Sequence, residues 1–146
     1  MTRSQRMAPL LGLRRTRQDD LAREVARQQQ SVEQQESRLE MLKTYAAEYA
    51  GLPKQGAAIA TTPAMLASRM AFRDKLDQAV NQQAQIVANS QQQHELEKAR
   101  LLIASRETKV MEKLIASYRS DEAMKEAKAQ QRQLDDLAAR SRGGRV

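Results

Sequence analysis

Apolar residues along this chain recur at alternating steps of three and four, over two long stretches separated by one break. The first stripe takes Leu11, Arg14, Gln18, Leu21, Val25, Gln28, Val32, Gln35, Leu39, Leu42, Ala46 and Tyr49. That spacing lines one edge of a left-handed coiled coil. Several of its seats hold Arg, Gln or Ala, so the seam is thin, and glutamines there are expected to fix the register poorly. The break is "GLPKQGAAIATTP", residues 51–63. Gly51 suits the C′ position of a helix end and Pro53 a helix stop. Thr62 followed by Pro63 reads as an N-cap with proline at the first helical position. A second stripe then takes Phe72, Leu76, Ala79, Gln83 and Ile86. Its phase slips near "NSQQQHE", residues 89–95, and resumes as Leu96, Ile103, Val110 and Leu114. A slip of three residues overwinds a coiled coil locally, so a bend or loosened packing is expected there.

The pattern predicts an all-α fold, a long antiparallel two-helix coiled-coil hairpin with unequal helices. The chain is read as one such hairpin over residues 1–146, with helix 1 at about 6–50, a turn at about 51–62, helix 2 at about 63–140 and a basic tail at 141–146. At 1.5 Å per residue the second helix would be roughly 115 Å long and the first roughly 60 Å. About thirty residues at the end of the second helix would then project alone or pair with another chain. Fraying is expected at both termini.

Composition narrows the reading further. The chain has 146 residues, no Trp, one Phe and three Tyr. A layered globular core would need more large apolar side chains, whereas a seam between two helices needs few. No cysteine is present, which removes disulfides and thiolate metal sites and fits a reducing compartment. The run Met7 to Leu13 lacks a cleavage site and reads as a helix start rather than a signal peptide. No stretch approaches the roughly 20 apolar residues that cross a bilayer. The net charge of +7 is uneven, with five arginines before the first acid, Asp19, and a basic "RSRGGRV" at the end.

Catalytic chemistry finds no support. His94 is the one histidine and reads as a solvated or seam residue. The carboxylates of "QDD" and "LDD" stand next to each other in sequence and diverge by about 100° on a helix. No phosphate-binding glycine loop is present. The reading is therefore no enzyme, no cofactor and no metal. Nucleic acid is not expected as a partner either, since the run Arg14, Arg15, Arg17 belongs to no recognisable reading helix. Met41, Met65, Met70, Met111 and Met124 form no common stripe and read as gap-fillers in the packing.

The segment "LEMLKTYAAEY", Leu39 to Tyr49, concentrates two of the three tyrosines just before the break. Leu42, Tyr45 and Tyr49 share one helix face. A chain reversing near Gln55 to Ala60 would bring them level with Phe72, Leu76, Ala79 and Gln83. Tyr45 lies on the flank of the seam, where a half-exposed phenol is a frequent interface anchor.

In these residues the chain resembles the flagellar FliJ family, a component of the flagellar type III export apparatus. The resemblance covers nearly the full length. It rests on the basic "RMAPLLGL", the first helix ending in "LEMLKTYAAEY", the short turn, and a longer second helix carrying "FRDKLDQAV". It implies an antiparallel coiled coil similar to the central stalk of rotary ATPases. The implied partners are a hexameric flagellar export ATPase, an export-gate membrane protein and export chaperones. The gate-facing surface carried over by the resemblance is Leu42, Tyr45, Tyr49, Phe72, Leu76 and Ala79. Arg38 and Gln83 belong to it provisionally, because the family has an amide at the first position and an imidazole at the second. The paired ends, with Arg14, Arg15 and Arg17, would face the ATPase ring. The implied location is cytoplasmic, at the inner face of the cell membrane at the flagellar base, with the membrane touched only through partners. The alternative is an injectisome stalk homologue or a generic coiled-coil adaptor, and behind these a nucleic-acid-binding helical protein.

Overall fold

The computed structural model describes residues 1–55 and 62–144, and the side chains of 1–51 and 62–144. The fold is an all-α hairpin of two unequal helices, α1 (Arg3–Gln55) and α2 (Pro63–Gly143). The reversal expected near Gln55 to Ala60 falls largely outside the described residues, as do the last two residues of the basic tail. Two compact units form. A terminal unit joins Met1–Asp20 to Leu102–Val146, and a central unit covers Leu21–Leu101.

Helix boundaries follow from capping at the starts. The Thr2 hydroxyl accepts from the backbone N–H of Gln5 at 3.3 Å, and the Gln5 side chain accepts from the N–H of Thr2 at 3.1 Å. This reciprocal capping box satisfies donors that the first turn would leave orphaned. Thr62 caps α2 as its sequence suggests, its hydroxyl accepting from the N–H of Met65 at 3.2 Å. The end of α1 differs from expectation. The helix passes through Gly51 and Pro53 to Gln55, and no glycine among the described residues takes a left-handed φ. Proline's fixed φ of about −65° is itself helical, and this close to the end its missing N–H removes only one backbone bond. Pro9 also lies within α1.

In the central unit the α1 stripe is the one the sequence shows. Leu21, Val25, Gln28, Val32, Gln35, Leu39, Leu42, Ala46 and Tyr49 are all partly or fully buried. The helices run antiparallel there: the Gln91 amide donates to Glu36, and Gln83 donates to both the carbonyl and the side-chain oxygen of Gln35, at 3.1 and 2.8 Å. The Gln35–Gln83 pair is directional, so here seam glutamines fix register instead of loosening it. The α2 stripe corrects the sequence reading. Its covered positions run Leu76, Ala79 and Val80, Gln83, Val87, Ser90, His94, Glu97 and Leu101, with no loss of phase at 89–95. Val87 is buried where Ile86 was expected, and Ile86 and Leu96 are exposed. The seam keeps its register by accepting small and polar side chains. His94 is therefore a seam residue, buried with neither ring nitrogen hydrogen-bonded, and the Gln28 side-chain oxygen is likewise unpaired. Such groups weaken packing, because each gives up water without gaining a partner.

In the terminal unit the α2 stripe runs Ala104, Thr108, Met111, Ile115, Tyr118 and Glu122, again in steps of four and three. Ile103, Val110 and Leu114, expected in the seam, are exposed. Ile115 is the best-buried apolar residue of the chain's described part, and Thr108 returns its hydroxyl to the Ala104 carbonyl. The antiparallel sense is set by Ser4 against Glu122 and Arg15 against Glu112.

The start of α1 makes specific contacts with α2. The Glu122 carboxylate accepts from the Ser4 hydroxyl at 2.6 Å and from the Ser4 backbone N–H at 3.0 Å, while the Arg3 guanidinium lies 5.0 Å from the Tyr118 ring centre. An anion at a helix N-terminus also meets the positive end of the helix dipole. Beyond Glu122 every described side chain of α2 is exposed. The unpaired end is thus about twenty residues, shorter than the thirty expected because α1 begins as early as Arg3.

The Ser4 contacts hold the Glu122 carboxyl below the ordinary carboxylate range, the hydroxyl first and the backbone N–H second. A depressed folded-state pKa gives stability that is fully present above the unfolded value and is lost as pH falls through the folded one. Glu122→Gln is expected to melt earlier than the parent at neutral pH, with the gap closing in acid. Melting temperatures of both proteins across the acid range check this. A gap that stays constant would show that the charge contributes nothing.

Candidate partner-binding surface

The surface is built on the central unit by the last turns of α1 and the early turns of α2. The stripe periodicity turns Leu42 and Tyr49 toward α2, and Leu76 and Ala79 toward α1. Tyr49 and Phe72 meet edge to face, with ring centres 4.8 Å apart and planes at 68°. This geometry sets the positive ring edge of one against the negative face of the other. Leu76 is buried, and Leu42, Tyr49, Ala79 and Gln83 are partly buried. Tyr45 is different. It is 51% exposed, lying on the flank as its spacing suggests. Phe72 keeps part of its ring in solvent, and Arg38 is exposed. The structure therefore joins residues from both helices through the Tyr49–Phe72 contact. It divides them into packers, led by Leu76 and Tyr49, and outward groups, led by Tyr45.

Around Tyr45 the outer face of α1 carries an open depression lined by Ser37, Glu40, Met41, Leu42, Thr44, Tyr45 and Glu48. Met41 reads from the sequence as a gap-filler. It stands four residues before Tyr45, on the same face, and is strongly exposed. Met65, seven residues before Phe72, is exposed too, as are Met70 and Met124. These methionines are surface groups, not gap-fillers, and of the five only Met111 is partly covered. Their flexible, polarizable side chains suit an adaptable contact face. The i, i+4 pairing of Met41 with Tyr45 was the signal available in the sequence.

The arginines proposed for the other end lie in the terminal unit. Arg14 pairs with Glu107, and Arg15 with Glu112 at 3.1 Å. Both pairs are exposed, so each contributes only about 0–1 kcal/mol. Arg17 forms no salt bridge among the described residues. No group of His, Cys, Asp and Glu among the described residues could hold a metal ion, and none of the described helices is long and apolar enough to cross a membrane. The surfaces offer apolar patches, phenol and charge, which are means of binding a protein.

Comparison with curated proteins gives no match, and neither does comparison with solved structures. The family model described as "Flagellar FliJ protein" matches residues 3–145, the two helices together with the segment that joins them. The chain thus belongs to the flagellar FliJ family and is a component of flagellar protein export.

Proposed function

We propose that this chain acts in flagellar export by mechanical coupling: it links a hexameric export ATPase to the export-gate membrane protein and also engages export chaperones. The observation that carries the reading is the exposed Tyr45 beside the packed Tyr49–Phe72 pair, a surface to which both helices contribute. A half-exposed ring held by packed neighbours loses little conformational freedom on binding, which is what makes tyrosine an effective anchor. In this reading Leu42, Tyr45, Tyr49, Phe72, Leu76 and Ala79 meet the gate, flanked by Arg38 and Gln83. The end bearing Arg14, Arg15 and Arg17 faces the ATPase ring. Arg17 is the readiest of the three, since Arg14 and Arg15 already hold carboxylates of α2. Work is done through differential contacts: a helix pair that binds one ring or gate state better shifts that equilibrium toward it. The protein would act in the cytoplasm at the inner face of the membrane, held there by its partners.

Purified components test the proposal. The immobilised chain is expected to retain both the export ATPase and the cytoplasmic domain of the gate protein, the first in a salt-sensitive manner. Arg17→Glu should weaken only the ATPase. Retention of neither protein would overturn the coupling role.

A further inference from the structure

The exposed aliphatic residues of the terminal unit are not scattered. Leu10 and Leu13 on α1, and Ile103, Val110 and Leu114 on α2, flank two depressions that share Arg14 and Met111 as lining residues. All five side chains are substantially exposed, Val110 at 66%. On α2 the three recur at i, i+7 and i+11, a spacing that keeps them along one side of the helix. The seam itself lies on the neighbouring face, through Ala104, Thr108, Met111 and Ile115. The terminal unit thus has a second apolar stripe that its own pairing leaves open.

The charges around this stripe that lack an ion-pair partner among the described residues are positive. Arg17 and Arg106 line it, and neither forms a salt bridge among the described residues. The carboxylate at its rim, Glu107, is already occupied by Arg14. The whole unit carries fifteen Lys and Arg against nine Asp and Glu, while the central unit carries ten against nine, so nearly all the net charge sits here.

We propose that this groove docks an amphipathic helix of a partner protein, with an aliphatic stripe on one face and carboxylates along its flanks. A third helix laid against two packed ones supplies side chains at the heptad spacing the groove offers. Its acids complement Arg17 and Arg106. A second copy of this chain fits poorly, because matching the groove to itself sets the same two arginines against each other. Nucleic acid would satisfy the arginines but leave the aliphatic floor without apolar partners. The inference does not rest on the ring or gate assignments; it concerns the chemistry of the occupant.

The test uses the full chain, methyl-labelled, titrated by NMR with two synthetic three-heptad peptides. Both carry leucine on one face; one has glutamate on its flanks and the other lysine. The glutamate peptide is expected to bind saturably and to shift the methyl signals of Leu10, Ile103, Val110 and Leu114. Val110→Glu should weaken it about tenfold or more, whereas Met124→Glu, an exposed site elsewhere, should not. Arg17→Glu with Arg106→Glu should reverse the preference toward the lysine peptide. Circular dichroism of each variant confirms unchanged helicity. Three outcomes overturn the proposal: no localised shift, equal binding of both peptides, or a self-association of the chain that Val110→Glu abolishes. The titration contains neither ATPase nor gate protein, so its failure leaves the coupling role untouched.

Discussion

Ile115→Asp is expected to undo the helix pairing of the terminal unit, while Leu114→Asp, one residue away, leaves it intact. Ile115 is 2% exposed and Leu114 is 39% exposed. Burying an isoleucine contributes about 1.5–3 kcal/mol, and a carboxylate in its place must also be stripped of water or force the seam apart. The combined loss is about 3 kcal/mol or more, a large share of the stability of a small domain. At Leu114 the change removes partial cover alone and should cost less than about 1 kcal/mol. Urea titrations followed by far-UV circular dichroism measure both. The contrast bears directly on the phase of α2. If the seam followed Leu96, Ile103, Val110 and Leu114, the order of the two effects would reverse.

The second large effect concerns Tyr45. Because half its surface is free, Tyr45→Ala should leave the melting temperature nearly unchanged yet weaken binding to the gate protein's cytoplasmic domain about tenfold or more, the scale of an interface anchor. Tyr49→Ala should lower both, since the Tyr49 ring packs on Phe72 at 4.8 Å and such contacts add about 0.5–1.5 kcal/mol beyond burial. Leu76→Ala is the poorer probe. Leu76 is buried, so its truncation costs about 2–5 kcal/mol of stability before any partner is considered. Calorimetric titration and swimming assays separate these cases. Wild-type affinity and motility in Tyr45→Ala would remove that residue from the gate surface.

Much of this architecture is legible in the sequence, and the misreadings share one cause. The α1 stripe reads correctly from Leu21 to Tyr49 because its apolar seats are frequent enough to carry glutamines along in phase. In α2 the largest aliphatic letters, Leu96, Ile103 and Val110, recur every seven residues and imitate a seam. The real one passes through Ser90, His94, Ala104 and Thr108. Burial within each unit follows the face that α2 turns toward α1, whatever side chains that face carries. Local strings of letters cannot convey that constraint. Punctuation misled in a similar way, as Gly51 and Pro53 look like a stop but adopt helical backbone. The capping box of Thr2 and Gln5 was visible as T-x-x-Q. The Ser4–Glu122 cap was not, because its partners are far apart in sequence. At the candidate surface, spacing alone placed Tyr45 on the flank. Only the structure shows that the Tyr49 and Phe72 rings meet edge to face, and that Met41 and Met65 are exposed.

The antiparallel pairing within the central unit supports every other conclusion, and one distance tests it. Glu36 and Gln91 are exposed and hydrogen-bonded across the seam at 2.8 Å, and the chain has no native cysteine to interfere with labelling. Nitroxides at E36C and Q91C in a monomeric sample are expected to lie roughly 20 Å apart, given an interaxial spacing of about 8–10 Å plus two label arms. One uninterrupted helix would instead hold the labels about 80 Å apart at 1.5 Å per residue. That longer distance would contradict the hairpin and everything built on it.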